Sequence, residues 1–204
     1  MIQKINDWWQ NRKAKKLASS VAQENNLHSN KIDCGNFYII TVGSAITPQS
    51  TWLVAYPKNV LHLEKLVKFH LSKGPHLSPY YYCPGSLGTV GLMDVIGKTG
   101  EIRFIQGSYK LKDDNTKPED EKFTFDRKEF RKLYANWRVA LLDQALTHLR
   151  TSGADKIMLS LVGAGISKQR KSNEIIQKEL GEVCRKKNYA ITHNFEGSYS
   201  HVTF

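Results

Sequence analysis

The residues whose types and spacing most clearly predict chemistry are the two glycines of the turn Gly163-Ala164-Gly165-Ile166-Ser167. A buried-type strand over 156–162 precedes this turn, and a helix over 168–187 follows it. Such a turn exposes backbone N–H groups at the positive end of the helix dipole, where they hold phosphate groups. The chain lacks the third glycine of a dinucleotide fingerprint and the Gly-Lys-Ser/Thr of a P-loop. The sequence predicts a phosphate-binding turn here, with plain turn geometry as the alternative.

Positive charge is the second feature of chemical interest. The chain of 204 residues has 30 Lys and Arg against 19 Asp and Glu, a net charge of +11. Nearly all the excess falls in three segments with helical patterns, at residues 4–16, 58–73 and 168–187. Clustered positive charge attracts anions such as nucleic acid, and the alternative is a solvated surface. The residues predicted to contact nucleic acid or a partner are Arg12, Lys13, Lys15, Lys16, Tyr81, Lys168, Arg170 and Lys171.

Two of these groups have a further predicted role. Tyr81 lies in a run of three tyrosines, and aromatic side chains beside basic helices can stack on single-stranded bases; packing under a loop is the alternative. The basic residues that begin the helix over 168–187 would add countercharge to the phosphate turn.

The first 30 residues form a predicted basic amphipathic helix. Apolar residues recur near helical spacing, and Trp8-Trp9 stands beside the basic block at 12–16. This helix could pack on its own domain, bind a protein partner, or lie on a membrane surface, and we favour these in that order.

The remaining chain, residues 36–204, is predicted to be a single α/β domain. Segments with strand patterns alternate with helical segments. The strands are predicted at 37–42, 51–56, 90–96, 101–110, 156–162, 189–194 and 199–204, and the helices at 59–72, 126–151 and 168–187. We expect a mixed central sheet flanked by helices in three layers.

The stretch from Leu133 to Ile166 resembles the macro domains. It contains Leu133-Tyr134-Ala135-Asn136-Trp137-Arg138, then Gly153-Ala154-Asp155-Lys156-Ile157, and then Leu161-Val162-Gly163-Ala164-Gly165-Ile166. In that family a helix with an aromatic-Arg pair precedes a strand that ends in a Gly-x-Gly loop. A looser similarity extends over 36–188, and Ile40 to Thr47 is similar to the family's opening strand and adenine loop.

The resemblance implies that the chain binds ADP-ribose or a similar phosphorylated nucleotide. It assigns the phosphate-side contacts to Gly163, Ala164, Gly165, Ile166 and Ser167, and the adenine-side contacts to Ala45 and Ile46. Ala45 stands where the family has its adenine-binding Asp, so the resemblance leaves catalysis open; an enzyme of this kind would be an ADP-ribosyl or nucleotide hydrolase. The alternative is a non-enzymatic nucleic-acid-binding or assembly protein that uses the three basic segments.

The remaining reactive residue types give weaker patterns. The seven histidines and three cysteines have no recognised metal spacing, so we predict no metal and no cofactor. His193 and His201 could share one face of the last two strands, and Cys83 is the cysteine predicted to be exposed. Three cysteines without a C-x-x-C, together with a start that lacks a signal-like apolar segment, favour the cytoplasm.

Overall fold

The computed structural model describes residues 2–27, 30–43, 50–73, 83–160, 167–194 and 199–204. Its helices are α1 (Ile2–Leu27), α2 (Val60–Lys73), α3 (Arg127–Tyr134), α4 (Trp137–Thr151) and α5 (Ser167–Lys187), with a short 3-10 helix at Pro118–Phe123. Its strands are β1 (Ile32–Asp33), β2 (Phe37–Gly43), β3 (Ser50–Pro57), β4 (Gly88–Ile96), β5 (Thr99–Gly107), β6 (Lys110–Leu111), β7 (Thr124–Phe125), β8 (Lys156–Ser160), β9 (Ala190–Asn194) and β10 (Tyr199–Thr203).

Eight of these strands form one mixed sheet, in the order β1-β2-β3-β4-β5-β8-β10-β9. The pairing of β5 with β8 is parallel, whereas β10 pairs antiparallel with both β8 and β9. Strands β6 and β7 form a separate parallel pair. The predicted α/β class, with a mixed sheet and helices, is confirmed.

The chain folds into two compact units. Unit 1 consists of Met1–Ile40, Val54–Thr89 and Gly107–Trp137, and unit 2 of Thr41–Leu53, Val90–Gln106 and Arg138–Phe204. In unit 1, α2 buries Leu63, Leu66 and Val67. The core of unit 2 includes the fully buried residues Ile102, Leu141, Leu142, Leu146, Ile157, Leu159 and Val202.

Two helices of unit 1 begin at side-chain N-caps. The Asn59 side chain accepts hydrogen bonds from the backbone N–H groups of Leu61 (2.9 Å) and His62 (3.3 Å). Asp126 accepts in the same way from Lys128 and Glu129, at 2.9 Å each. Each cap satisfies first-turn N–H groups that have no partner within the helix.

The predicted single helix over 126–151 is wrong in one respect. The chain forms two helices, α3 and α4, separated at Ala135 and Asn136. The apolar spacing stays in helical phase across the break, with Tyr134 and Trp137 both buried. No proline or glycine marks it, so periodicity alone gives no signal.

Helix α1 packs against α2 within unit 1. Its buried residues are Ala14, Ala18 and Val21, which recur at helical spacing, and Leu17 is half-buried. The side chains of residues 2–10, which include Trp8 and Trp9, lie outside the described part of α1.

Gly85 provides a test of the packing around α2. Its φ is +86°, and a Cβ added there would lie 2.5 Å from Leu63 Cδ1. Gly97 also has a positive φ, +64°, but nothing lies within 4 Å of an added Cβ. Both Gly→Ala variants incur the backbone cost of a positive φ, and Gly85→Ala adds overpacking. In urea denaturation we expect Gly85→Ala to lose about 1–3 kcal/mol more unfolding free energy than Gly97→Ala. Equal losses would contradict the packing described here.

Candidate functional site

The predicted phosphate turn connects two described elements of unit 2. Strand β8 runs parallel to β5 and ends at Ser160, and α5 begins at Ser167. Gly163, Ala164, Gly165 and Ile166 lie outside the described residues. Ser167 is the first residue of α5, but its side chain is outside the described part of the structure. A strand and a helix therefore flank the predicted turn, as the sequence indicates.

Polar side chains lie at the end of β8. Ser160 Oγ donates a hydrogen bond to Glu101 Oε1 on the neighbouring strand, at 2.7 Å. The second oxygen of Glu101 lies 3.3 Å from Arg103 Nε. Arg103 neutralises the charge of the Glu101 carboxylate, so Ser160, Glu101 and Arg103 together add no net negative charge at the end of β8.

Helix α5 is held firmly in unit 2. Ile176, Leu180, Val183 and Cys184 are buried, whereas Ile175 is 49% exposed. The helix is further fixed to α4 by an ion pair, in which both Nε and Nη2 of Arg138 donate to the Glu179 carboxylate.

Several other predicted contact residues lie where the structure does not describe their side chains. Ala45, Ile46 and Tyr81 lie outside the described residues altogether. Lys168, Arg170 and Lys171 lie in the first turns of α5, as predicted, but without described side chains. The first turn of α5 contains no acidic residue, so no carboxylate of that turn opposes an anion there.

The basic residues of α1 lie on its exposed surface. Arg12, Lys13, Lys15 and Lys16 are all exposed, while another side of the helix carries the buried Ala14 and Ala18. Lys13, Lys15 and Lys16 form no ion pair with the side chains that the structure describes. This face is therefore available to an anionic partner.

Lys58, Lys65 and Lys68 of the predicted basic segment 58–73 instead make contacts within unit 1. Lys58 pairs with Asp33 at 2.6 Å, and Lys68 pairs with Glu64 at 2.8 Å. Lys65 donates to the Thr124 carbonyl at 2.7 Å and lies over the Phe125 ring. These intramolecular contacts weaken the prediction that α2 presents a free basic surface.

Helix α3 carries a basic face that the sequence reasoning missed. Arg127, Lys128, Arg131 and Lys132 are all exposed and form no ion pair with described residues. The acids Asp126 and Glu129 mask this excess when charge is summed along the segment. Positions i, i+1, i+4 and i+5 lie on one side of a helix, so a helical projection would have revealed it.

A Glu–His–Tyr chain joins α2 to α3. Tyr134 Oη lies 2.8 Å from His62 Nδ1, and His62 Nε2 lies 3.4 Å from Glu129 Oε1. The order of groups suits a proton relay. However, Tyr134 is only 1% exposed, and burial raises its pKa to about 12. The Tyr134 hydroxyl therefore cannot contact a substrate. The series of contacts from Glu129 through His62 to Tyr134 instead fixes α3 to α2.

His70 is a buried neutral imidazole that fixes the segment after residue 82. Its Nδ1 accepts from the Gly85 backbone N–H at 3.0 Å, and its Nε2 donates to the Ser108 carbonyl at 2.7 Å. Burial lowers its pKa to about 4. Both ring nitrogens are engaged, so His70 acts as a clamp.

Two expectations about reactive side chains are wrong. Cys83 is buried beside Tyr56, and burial raises its thiol pKa to about 11, so it is not a nucleophile. His193 pairs with Ser200, and His201 with Thr192. Directly paired residues share a face and neighbours alternate, so the two histidines lie on opposite faces.

The described residues contain no group of three or more His, Cys, Asp or Glu side chains arranged to hold a metal ion. Among the described helices, none combines the length and apolar character that crossing a bilayer requires.

No protein-family model, curated protein or solved structure matches this chain significantly. The resemblance to macro domains therefore stays a prediction that rests on the residues quoted above.

The His70 clamp predicts a specific pH dependence of stability. The unfolded chain takes up a proton near the ordinary histidine pKa of 6.5, whereas folded His70 does so only at about 4. The unfolding free energy should therefore fall as the pH drops through this window, by about 3 kcal/mol from this group. In urea denaturation from pH 7.5 to 4, the His70→Gln variant should lack this part of the pH dependence of the unfolding free energy. His201→Gln, at an exposed histidine, is the control, and a wild-type slope in His70→Gln would contradict the assignment.

Proposed function

We propose that unit 2 binds a phosphorylated nucleotide at the turn between β8 and α5. The observation that carries the proposal is the parallel pairing of β8 with β5, followed directly by a long helix. In α/β sheets, ligands bind beyond the carboxyl ends of parallel strands, where the next helix begins. The sequence of the intervening turn adds the glycines that such a site requires.

Phosphate binding would rest on the backbone of the turn and on the start of α5. N–H groups of Gly163 to Ser167 would hold the phosphate oxygens at the positive end of the helix dipole. Lys168, Arg170 and Lys171 would add countercharge. The buried apolar side chains of α5 and its ion pair with Arg138 hold the helix in place before the ligand arrives.

Glu101 offers a second contact for the same ligand. An ionised carboxylate has about four acceptor positions, and the Ser160 hydroxyl and Arg103 occupy two of them. A ribose hydroxyl can donate to a third, as acidic residues do in other nucleotide sites. A ligand with both phosphate and ribose groups would contact the turn and Glu101 together. The macro-domain resemblance favours ADP-ribose as that ligand. Catalysis is not part of the proposal.

Calorimetric titration with ADP-ribose tests this site. We expect Lys168→Ala/Lys171→Ala to weaken binding at least tenfold, because about 1.4 kcal/mol of charge-assisted phosphate binding corresponds to that factor. The matched control is Lys178→Ala/Lys186→Ala, which removes two charges farther along the same helix. Failure of the wild type to bind, or equal affinities of the two double variants, would refute the proposal.

A second candidate function is the binding of nucleic acid by unit 1. The observation that favours it is the exposed surface formed by Lys13, Lys15 and Lys16 of α1, which make no ion pair with described residues, together with the four exposed cations of α3. Phosphate backbones bind such surfaces without sequence specificity and release counterions as they do so. Lys65 and Lys68 of α2 would contribute little, because their ammonium groups already make contacts within unit 1.

This second function has a distinct salt signature. For a short single-stranded RNA, the slope of log K against log salt concentration scales as about −0.7 per neutralised phosphate. Removing three contacting charges should therefore flatten it by about 2. We expect this for Lys13→Ala/Lys15→Ala/Lys16→Ala and for Lys128→Ala/Arg131→Ala/Lys132→Ala, measured by fluorescence anisotropy.

The control for the salt titration is Lys178→Ala/Arg185→Ala/Lys186→Ala, which removes three charges from α5 in unit 2. Its slope should match that of the wild type. If all three variants change the slope equally, binding follows net charge alone, and the two helices are not the binding surface.

A further inference from the structure

Unit 1 contains a cleft that is separate from the proposed nucleotide site. Its volume is about 310 Å³, at the small end of the range of about 300–1,000 Å³ for ligand sites. It is lined by Ala22 of α1, by Lys31, Asp33 and Tyr38 around the β1–β2 turn, and by Pro57, Lys58, Val60 and Leu63 at the end of β3 and the start of α2.

The charged side of the cleft is organised around Asp33. Both of its oxygens lie 2.6 Å from Lys58 Nζ, and the Gly35 N–H donates to Oδ1 at 2.9 Å. Gly35 has a φ of +81°, a conformation that permits this tight turn without a side-chain clash. The Lys58 ammonium, with its charge and its N–H bonds to Asp33, holds the pKa of that carboxyl below its ordinary value.

Lys31 makes this side of the cleft cationic. It lines the same cleft and forms no ion pair with the described residues. The two lysines outnumber the single carboxylate, so the local net charge is +1. Lys58 is fixed by Asp33 but has further donor capacity, because an ammonium group has three N–H donors. An anion would therefore contact Lys58, which Asp33 holds in place, and Lys31, which no ion pair to a described residue holds in place.

The remaining lining of the cleft is largely apolar. Tyr38, Pro57 and Leu63 are buried. Tyr38 also packs against Tyr56, with ring centroids 6.2 Å apart. Val60 is 54% exposed at the start of α2. A purely ionic ligand would leave this apolar surface unused.

From this arrangement we propose that the cleft binds a small organic anion, with a carboxylate, sulfonate or phosphate head and an apolar body. The head lies between Lys31 and Lys58, and the body lies against Tyr38, Pro57 and Leu63. Asp33 is a positioning residue that aims Lys58. The site does not depend on the β8–α5 turn, so it stands or falls separately from the proposed nucleotide binding.

The test uses two fluorescent probes with the same aromatic body, namely 8-anilino-1-naphthalenesulfonate and its neutral counterpart N-phenyl-1-naphthylamine. We expect the full chain to bind the sulfonate with one-to-one stoichiometry and more tightly than the neutral probe. Lys31→Met/Lys58→Met retains the apolar stems and removes both charges. It should weaken sulfonate binding at least tenfold and change binding of the neutral probe less than twofold.

Two further variants locate the site and check the fold. Ala22→Leu fills the cleft from α1 and should weaken both probes, without a change in charge. Lys13→Ala/Lys16→Ala removes two charges from α1 outside the cleft and should leave both affinities unchanged. Unfolding midpoints within about 2 °C of the wild type identify variants that remain folded. Unchanged sulfonate affinity in Lys31→Met/Lys58→Met, or in Ala22→Leu, would overturn the proposal.

Discussion

The parallel pairing of β5 with β8 is the constraint on which the organisation of unit 2 depends. A tight hairpin cannot connect parallel strands, so the chain must leave the sheet and return through a crossover. Helix α4 lies at the end of that crossover, and Gly100 of β5 packs directly against Leu149, where an added Cβ would lie 3.0 Å from the leucine Cδ2. Strand β8 ends at Ser160 and α5 begins at Ser167, and the proposed nucleotide site lies between these two elements.

Charge has two different uses in this chain, and composition alone does not separate them. Lys58, Lys65 and Lys68 make contacts that hold unit 1 together, whereas the lysines of α1 and the cations of α3 form exposed faces. Exposed ion pairs contribute little stability, typically 0–1 kcal/mol, so the contacts of Lys65 and Lys68 matter mainly because they make these two lysines unavailable to a ligand. Lys58 combines both uses, since its pair with Asp33 fixes the ammonium at the edge of a cleft.

The sequence predicted the elements well because strand and helix periods are local properties, and it failed where long-range geometry decides. The break between α3 and α4 at Ala135 leaves the apolar period intact, so the sequence pattern does not reveal it. His193 and His201 are eight residues apart, which suggests that they share one face of the sheet. The register of β9 and β10 instead pairs His193 with Ser200, so His201 lies on the opposite face. Cys83 lies in a segment rich in glycine, which favours exposure, but its side chain is buried beside Tyr56. The cleft joins Ala22 to residues far along the chain, so no local pattern could reveal it.

Amide hydrogen exchange with and without saturating ADP-ribose tests the central claim most directly, because it reports on the backbone groups that would hold the phosphates. Slower exchange is predicted in peptides that cover residues 160–171, since bound phosphate oxygens would accept hydrogen bonds from those amides. Peptides from α1 should exchange at an unchanged rate. Unchanged exchange at 160–171 under saturating ligand, whatever happens elsewhere, would contradict the account.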